Sequence, residues 1–323
     1  MQPTISVALC THNGARFIGR QVGSILAQTL QPTEIVLSDD ASSDDTVEIV
    51  RELLKSSAIE LVVLLNDPPF GVAANFQQAL QTARGDLIAL CDQDDVWSPR
   101  RLERLAAEFA LRPELLLVHS DASLVDEHGA YLGVGLLDSL ETTPGEIAEI
   151  HEGHAFETFL RRNLVTGATT LVSRRLVERA MPIPSNWIHD EWLAMIAGAY
   201  GGVGLVAERL TNYRQHSGNQ IGARKPTPRD KIRKLREPRA ERNDNLLARA
   251  RILNSRIPKL TPAVERRYLE LASGKFAHEQ FRNSLSPNRI ARLVPILREA
   301  AGGGYRQFSR GRADVLRDLL QPA

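Results

Sequence analysis

Apolar and polar positions set two rhythms in the amino-terminal third of the chain. Mostly apolar runs at 5–10, 34–38, 59–65, 86–91 and 114–119 have the length of buried strands. Between them apolar residues recur at helical spacing: Phe17, Ile18, Val22, Ile25 and Leu26; then Val47, Val50, Leu53 and Leu54; then Ala74, Phe76 and Leu80; then Leu102, Leu105, Ala106 and Phe109. Strands alternating with helices of this length predict a parallel sheet. The alternation then stops. Residues 123–132 read as a hairpin turning near His128-Gly129, and 133–150, rich in Thr, Gly and acids, as a mobile lid-like loop. A helix over 156–161, a turn at 163–169 feeding a strand, a helix over 187–199 stopped by Gly201-Gly202, and strands at 203–207 and 210–216 ending near Ser217, Gly218 and Asn219 complete the pattern. From Arg224 the pattern is helical and interrupted by Pro226, Pro228, Pro238, Pro258, Pro262, Pro287 and Pro295, which predicts short helices joined at prolines.

Charge divides the chain at the same place. The net charge of +1 over 323 residues combines 16 Lys and Arg against 29 Asp and Glu in residues 1–223 with 24 against 10 in residues 224–323. We therefore expect an acidic body, 1–223, and a basic helical region, 224–323. An acidic body binds a nucleotide only through a metal or a few placed cations. The two cysteines, Cys10 and Cys91, end apolar runs and read as buried residues rather than a disulfide. A first strand at the amino terminus, without a signal-type segment or a membrane span, predicts a cytoplasmic protein.

Candidate chemistry lies where strands end. After the run 86–91 come Asp92, Asp94 and Asp95, and after 34–38 come Asp39 and Asp40. In an open α/β sheet the carboxyl ends of strands meet the ligand. Clustered carboxylates repel unless a cation sits between them, and magnesium or manganese is held by one or two carboxylates plus substrate phosphates. The first tip thus reads either as a metal clamp on a diphosphate or as a loop leading to a helix capped at Ser98-Pro99. Asp44 or Asp45 suffices to cap the second helix, which leaves Asp39 and Asp40 standing where a ligand would.

Four motifs in order, Cys10-Thr11-His12-Asn13-Gly14, Asp39-Asp40-Ala41-Ser42-Ser43-Asp44-Asp45-Thr46, Asp92-Gln93-Asp94-Asp95-Val96-Trp97 and Tyr213-Arg214-Gln215-His216, with His189-Asp190-Glu191-Trp192 between the last two, resemble the family 2 glycosyltransferases. The resemblance covers about the first 220 residues. It implies a GT-A fold: an α/β, Rossmann-like mixed sheet flanked by helices, here followed by a C-terminal helical region. It implies a nucleotide-sugar donor whose nucleoside is held by Thr11, His12, Asn13, Asp40 and Asp39 behind it, and a manganese or magnesium ion on Asp94 and Asp92 with His216 completing the shell. Arg214 then neutralises phosphate or pairs with an acid of the body. It implies Asp190 as the base of an inverting transfer, with Glu191 as competitor and a first-turn helix acid as the plain alternative. The floor for sugar and acceptor falls to Asn163, Thr166, Gly167 and Thr169, with Asp95 and Trp97 beside it and Trp187 or Trp192 as an aromatic face or as core.

The motif set looks most like rhamnosyltransferase-type members. That implies dTDP-rhamnose, or else a UDP-sugar, as donor and a bacterial surface polysaccharide or lipid-linked glycan as acceptor. The basic region lies outside the resemblance. Residues 224–260, with Ile232, Leu235, Leu246, Leu247, Ile252 and Leu253 among the cations, suit an anionic membrane face, a homo-oligomer contact or packing on the acidic body. Nucleic acid is not expected, because no basic surface interleaved with aromatics is present. The rival readings are a non-catalytic nucleotide or glycan binder and a sugar nucleotidyltransferase. The latter calls for a glycine-rich basic loop after the first strand, which Thr11-His12-Asn13-Gly14-Ala15-Arg16 matches poorly.

Overall fold

A computed structural model describes residues 3–216, 233 and 237–322. Four parallel strands, β1 (Ile5–Thr11), β2 (Glu34–Asp39), β3 (Glu60–Leu65) and β4 (Leu87–Asp92), are joined by α1 (Ala15–Leu26), α2 (Thr46–Leu54) and α3 (Val72–Thr82). All seven residues of β1 are buried, because helices cover both faces of the sheet. Val7 and Leu9 pack with Ile18, Val22 and Ile25 of α1, whereas Ala8 and Cys10 pack with Phe76 and Leu80 of α3. That period of two along the strand against 3.6 along the helices fixes the register: a slip of one residue would exchange the two faces. Truncating a fully buried residue such as Ile25 to Ala would cost about 2–5 kcal/mol.

The second half is mixed. The short β5 (Val96–Trp97) and α4 (Arg101–Leu111) lead to β6 (Leu117–Val125) and β7 (Tyr131–Gly135). The sheet runs β3-β2-β1-β4-β8-β6-β9-β5, where β8 is Thr170–Ser173 and β9 is Val203–Arg214, and β7 pairs with β6 off this path. β8 is antiparallel to both β4 and β6, and β9 is parallel to β6. The expected strands at 203–207 and 210–216 are one strand with register shifts against β6. The expected loop 133–150 is instead ordered into α5 (Leu136–Ser139) and α6 (Pro144–His151). Its physical reason is legible afterwards: Thr143 caps Glu146 N–H, Glu146 returns to Thr143 N–H, and Pro144 occupies the first turn. Then come α7 (Ala155–Arg161), a 3-10 turn at Gly167–Thr169, α8 (Arg174–Ala180) and α9 (His189–Ala199).

The carboxyl-terminal region holds α10 (Ala240–Arg256), α11 (Arg266–Asn283), α12 (Arg289–Ala301), α13 (Gly304–Phe308) and α14 (Arg312–Leu320). Pro295 lies inside α12 rather than ending it. The expected strand end at Ser217, Gly218 and Asn219, the division at 223/224, the breaks at Pro226 and Pro228, and Ile232 and Leu235 fall outside the described residues. Of the readings offered for the basic region, packing on the body is what α10 and α11 do. Leu253, Ile257, Tyr268 and Ala272 share a core with Phe156 and Trp192, and the Tyr200 hydroxyl donates to the Pro262 carbonyl at 2.7 Å. No helix among the described residues is long and apolar enough to cross a membrane.

Candidate active site

Strand register brings three tips together. Thr11 lies opposite Asp39, and Cys10 opposite Asp92, at the carboxyl ends of three adjacent parallel strands. The Asp39 carboxylate accepts from Thr11 Oγ1 at 2.6 Å and from Ser42 N–H and Oγ at 2.8 and 2.6 Å, so it braces the two turns from behind. Both turns bend through the left-handed region, at Asn13 (φ 49°) and Ala41 (φ 62°). Asn tolerates that conformation well, and Ala at a cost. Asn13 Oδ1 accepts from Ser43 N–H at 2.8 Å, and Asn13 N–H donates to Ser42 Oγ at 2.8 Å, which cross-links the turns. His12 is exposed, its Nδ1 held 2.6 Å from the Asp40 carbonyl oxygen.

Asp40 Oδ1 accepts from Phe70 N–H at 2.7 Å and Asn66 Nδ2 at 3.2 Å, and Oδ2 accepts from Gly71 N–H at 2.8 Å. A carboxylate offers about four acceptor positions, so Oδ2 keeps capacity for a further donor. The sequence reading missed Gln93. Its amide accepts from His12 N–H at 2.8 Å and donates to the His12 carbonyl at 3.0 Å, locking the first tip to the third. Gly14 is required by the same contact, since a Cβ there would lie 2.3 Å from Gln93 Oε1.

The third tip concentrates charge. Burial, then the charges of Asp94 and Asp190, push the Asp92 carboxyl up to about 7. Asp95 is 1% exposed; its Oδ1 accepts from Arg214 N–H at 2.9 Å, and burial with its acidic neighbours raises its pKa well above the usual carboxylate range. It braces the tip from within, in place of the acceptor contact expected from the sequence. Arg214 is likewise 1% exposed, with Nε donating to the Asp94 carbonyl at 2.6 Å and Nη1 to the Asp126 and Glu127 carbonyls at 3.2 and 3.0 Å. That network makes Arg214 a clamp behind the tip, closer to the second of its two expected roles, a contact within the body. Arg101, which the sequence reading also missed, is buried under the tip with its guanidinium 3.9 Å from the Trp97 ring centroid, and its charge opposes the rise at Asp92 and Asp95. His216 Nε2 sits 2.8 Å from Asp94 Oδ2 while its ring stacks on Phe17, centroids 5.0 Å apart.

Asp190 reaches this cluster from the first turn of α9. Its Oδ2 accepts from Gly167 N–H at 2.8 Å and its Oδ1 from Glu191 N–H at 2.7 Å; burial raises its pKa against the opposing pull of those N–H groups. Gly167 is obligatory: a Cβ would meet His189 Nε2 at 2.9 Å, and the His189 ring is fixed against Phe76 at 3.9 Å between centroids. Burial keeps His189 neutral, its pKa lowered to about 3. Glu191 is engaged elsewhere, in an ion pair with Arg249 of α10, whose guanidinium lies 4.1 Å over the Trp187 ring. Nothing in the strand-helix pattern pointed to Arg249.

Tyr213 ties the parts together. Burial, then the charges of Asp92, Asp95, Asp94 and Asp190, raise its hydroxyl pKa, so one phenol lies in the field of all four acids. Asn163 and Thr166 are half-buried beside Gly167, with Asn163 closing a turn on Val165 at 2.7 and 2.9 Å. Trp192 is wholly buried, its indole N–H bonded to the Ala180 carbonyl at 2.7 Å, and Trp97 is 3% exposed. Neither has surface for a sugar ring, so Trp192 takes the core alternative offered for it, and Trp97, expected beside the acceptor floor, is core as well.

The residues present fit a divalent ion. Among the described residues no three His, Cys, Asp or Glu side chains form a ready metal cage. Asp94 and His216 nevertheless offer an oxygen and a nitrogen side by side, in a cluster where burial, then repulsion between the acids, raises the Asp92 and Asp95 pKa values, a repulsion that a cation relieves. Magnesium and manganese fill their remaining positions with phosphate oxygens and water.

Comparison with known proteins agrees with this geometry. The family described as Glycosyl transferase family 2 matches residues 6–134. An uncharacterized glycosyltransferase, alr2836, of Nostoc sp. is 25% identical over 218 residues, covering 67% of this chain and 66% of that protein. The chain spans less than two thirds of the length of the curated relatives it matches. Among solved structures, S. aureus TarS 1-349 in complex with UDP-GlcNAc superposes with a TM-score of 0.60 at 15% identity, over 97% of this chain and 89% of that one. The mannosyltransferase PcManGT from Pyrobaculum calidifontis, in complex with GDP-Man and Mn2+, does so at 0.52 and 17%, over 98% and 86%. The three tips at the strand ends thus lie within a segment, residues 6–134, that is similar to glycosyl transferase family 2, and the chain shares the GT-A fold of these structures.

Proposed function

We propose that the protein transfers a sugar from a nucleoside-diphosphate donor to a hydroxyl of a growing glycan, with inversion at the anomeric carbon and a divalent metal on the diphosphate. The observation that carries this reading is the strand register that sets Thr11 opposite Asp39 and Cys10 opposite Asp92 at adjacent strand ends, with His216 Nε2 2.8 Å from Asp94 Oδ2 on the same tip. In this reading Thr11, His12, Asn13 and the spare acceptor position of Asp40 receive the nucleoside, with Asp39 behind them. Asp94 and His216, with Asp92 beside them, hold the metal. When bound, the ion stabilises the charge that develops on the departing diphosphate. Asp190 takes the proton of the incoming hydroxyl; its raised pKa makes it a stronger base than an exposed carboxylate. Glu191 is the weaker candidate because Arg249 already holds it. Asn163, Thr166 and Gly167 form the floor beside that base.

The motif set makes dTDP-rhamnose the first donor to test. A panel of dTDP-, UDP- and GDP-sugars with manganese, read by thermal shift, is expected to single out one donor. Stabilisation by a UDP-hexose alone would replace the rhamnose assignment, and stabilisation by none would remove the transferase reading.

The same reading puts the enzyme beside a lipid-linked acceptor. The surface for an anionic bilayer moves from residues 224–260, whose Leu253 is buried in the core, to α12 and α14. Ile290, Leu293, Val294 and Leu297 form one exposed apolar stripe between Arg289 and Arg298, with Leu316 and Leu320 exposed on α14. Co-sedimentation with anionic vesicles at low but not high salt is expected, and its absence from both would end this part of the reading.

A further inference from the structure

Between the body and the carboxyl-terminal helices lies a partly open pocket of about 250 Å³ that shares only Asn163 with the groups assigned to the proposed transfer. Its walls come from the end of α7, the start of α9, α10, α11 and the segment around α14. One wall is apolar, built by Phe159, Trp187, Leu246 and Leu253. The other is cationic: eight Arg and Lys side chains line the cavity against three acids, Glu191, Glu279 and Asp314.

Ion pairs occupy part of that charge. Glu191 is taken by Arg249, Glu279 by Lys275 and Arg282, and Asp314 by Arg242 and Arg317. Glu141, Glu146, Glu149 and Asp318, outside the lining, take further contacts from Arg310, Arg162, Arg161 and Arg282. A guanidinium has five N–H donors, and one carboxylate engages at most two of them well. Arg310 is the most available of them, since its side chain is 40% exposed and its contact with Glu141 is 3.8 Å, beyond hydrogen-bond length. The pKa directions are compatible with that crowding: burial first, then Arg162 and Arg317, lower the pKa of Arg310 against Asp314 and Glu141, and burial, then Arg282, lowers that of Arg242 against Asp314 and Asp318. Clustered, partly exposed cations beside an apolar wall suit an oxyanion attached to a carbon skeleton.

We propose that this cavity binds a phosphate monoester or diester carried by the acceptor, the arginine wall taking the oxyanion and the apolar wall the adjoining carbons. The site abuts Glu191, the chain neighbour of Asp190, and Asn163 of the proposed acceptor floor, so an acceptor anchored there extends toward that floor. Assigning the phosphate to the acceptor rests on the transferase reading, whereas the anion site stands on the cavity alone.

The test is calorimetric titration of the full chain, without divalent metal and at low ionic strength, with hexyl phosphate and with inorganic phosphate. Hexyl phosphate is expected to bind more tightly than inorganic phosphate. Arg310→Gln or Arg317→Gln, each checked for native circular dichroism, is expected to weaken hexyl phosphate ~10-fold, the effect of one lost charge-assisted hydrogen bond. Donor affinity with manganese, measured in parallel, is expected to stay unchanged in both variants. No binding by the wild type, or equal binding by wild type and both variants, would overturn the site. Inorganic phosphate binding as tightly as hexyl phosphate would overturn the acceptor assignment. Loss of donor binding in the wild type would strike the transferase reading and leave the anion result standing.

Discussion

Replacing Asp190 by Asn separates chemistry from architecture, because the structure sets the expected size of each effect. The carboxylate accepts two backbone N–H groups, Gly167 at 2.8 Å and Glu191 at 2.7 Å. An Asn side chain keeps one oxygen, so one of those N–H groups faces an NH2, at about 1–3 kcal/mol. Against that loss, burial disfavours the ionised carboxylate, and the neutral amide relieves this at every pH above the raised pKa. The two terms oppose, so the melting temperature should move by only a few degrees, at ~2–4 °C per kcal/mol for a domain of this size. Catalysis should suffer far more. Removing a general base lowers kcat by ~10²–10⁴, which is about 3–5 kcal/mol of transition-state stabilisation. Donor affinity should hold, since the substitution lies outside the groups assigned to nucleoside and metal. Initial rates at saturating donor, with donor affinity by calorimetry, make the assay. Turnover within a few-fold of wild type, or a loss accounted for by weaker donor binding, would refute the assignment.

Catalysis needs the deprotonated form of Asp190, so the rate should climb with pH through a value above the usual carboxylate range. Arg249→Met removes a charge that lowers the Asp190 pKa and should move that limb to higher pH. The metal-free protein should lose stability as pH rises from 3.8 to about 7: Asp92, at about 7 when folded, keeps a proton that the unfolded chain has released, and stability fully present below its ordinary pKa is gone once pH passes 7. Asp92→Asn should flatten that dependence in thermal melts. Gly167→Ala should lower kcat at least ~10-fold through a 1–3 kcal/mol steric conflict with His189, whose fixed ring cannot yield; full activity would show the loop to be softer than argued. In the carboxyl-terminal helices, Arg282 is 1% exposed and pairs with Glu279 and with Asp318 at 2.7 Å, so Arg282→Met should cost about 3–5 kcal/mol in denaturant melts by leaving buried Asp318 without its cation and Glu279 with Lys275 alone.

The parallel half of the sheet was readable because its signals are local. A strand buried on both faces is a short apolar run, and the acids after β2 and β4 stand out because no helix cap needs Asp39, Asp40 or Asp92. The elements over 133–150 were passed over because their helices are short and weakly patterned, although the Thr143-Pro144-Gly145-Glu146 capping box was present. The roles of Gln93, Arg101 and Arg249 depend on contacts between residues far apart in the chain, to which periodicity is blind. The motifs draw Trp97 and Asp95 toward ligand and leave Trp192 and Arg214 between ligand and body, and burial decides for the body. Sequence gives the composition of a motif and not the side from which each member approaches.

The central claim is that the acidic tips form a metal-dependent cradle for a nucleoside diphosphate, and donor calorimetry with and without manganese tests it most directly. The account predicts that the wild type binds its nucleotide sugar at least ~10-fold more tightly with manganese, through contacts of about 1.4 kcal/mol or more. Asp94→Asn and His216→Ala should each abolish most of that gain. Donor affinity indifferent to manganese, or a manganese effect that survives both substitutions, would contradict it.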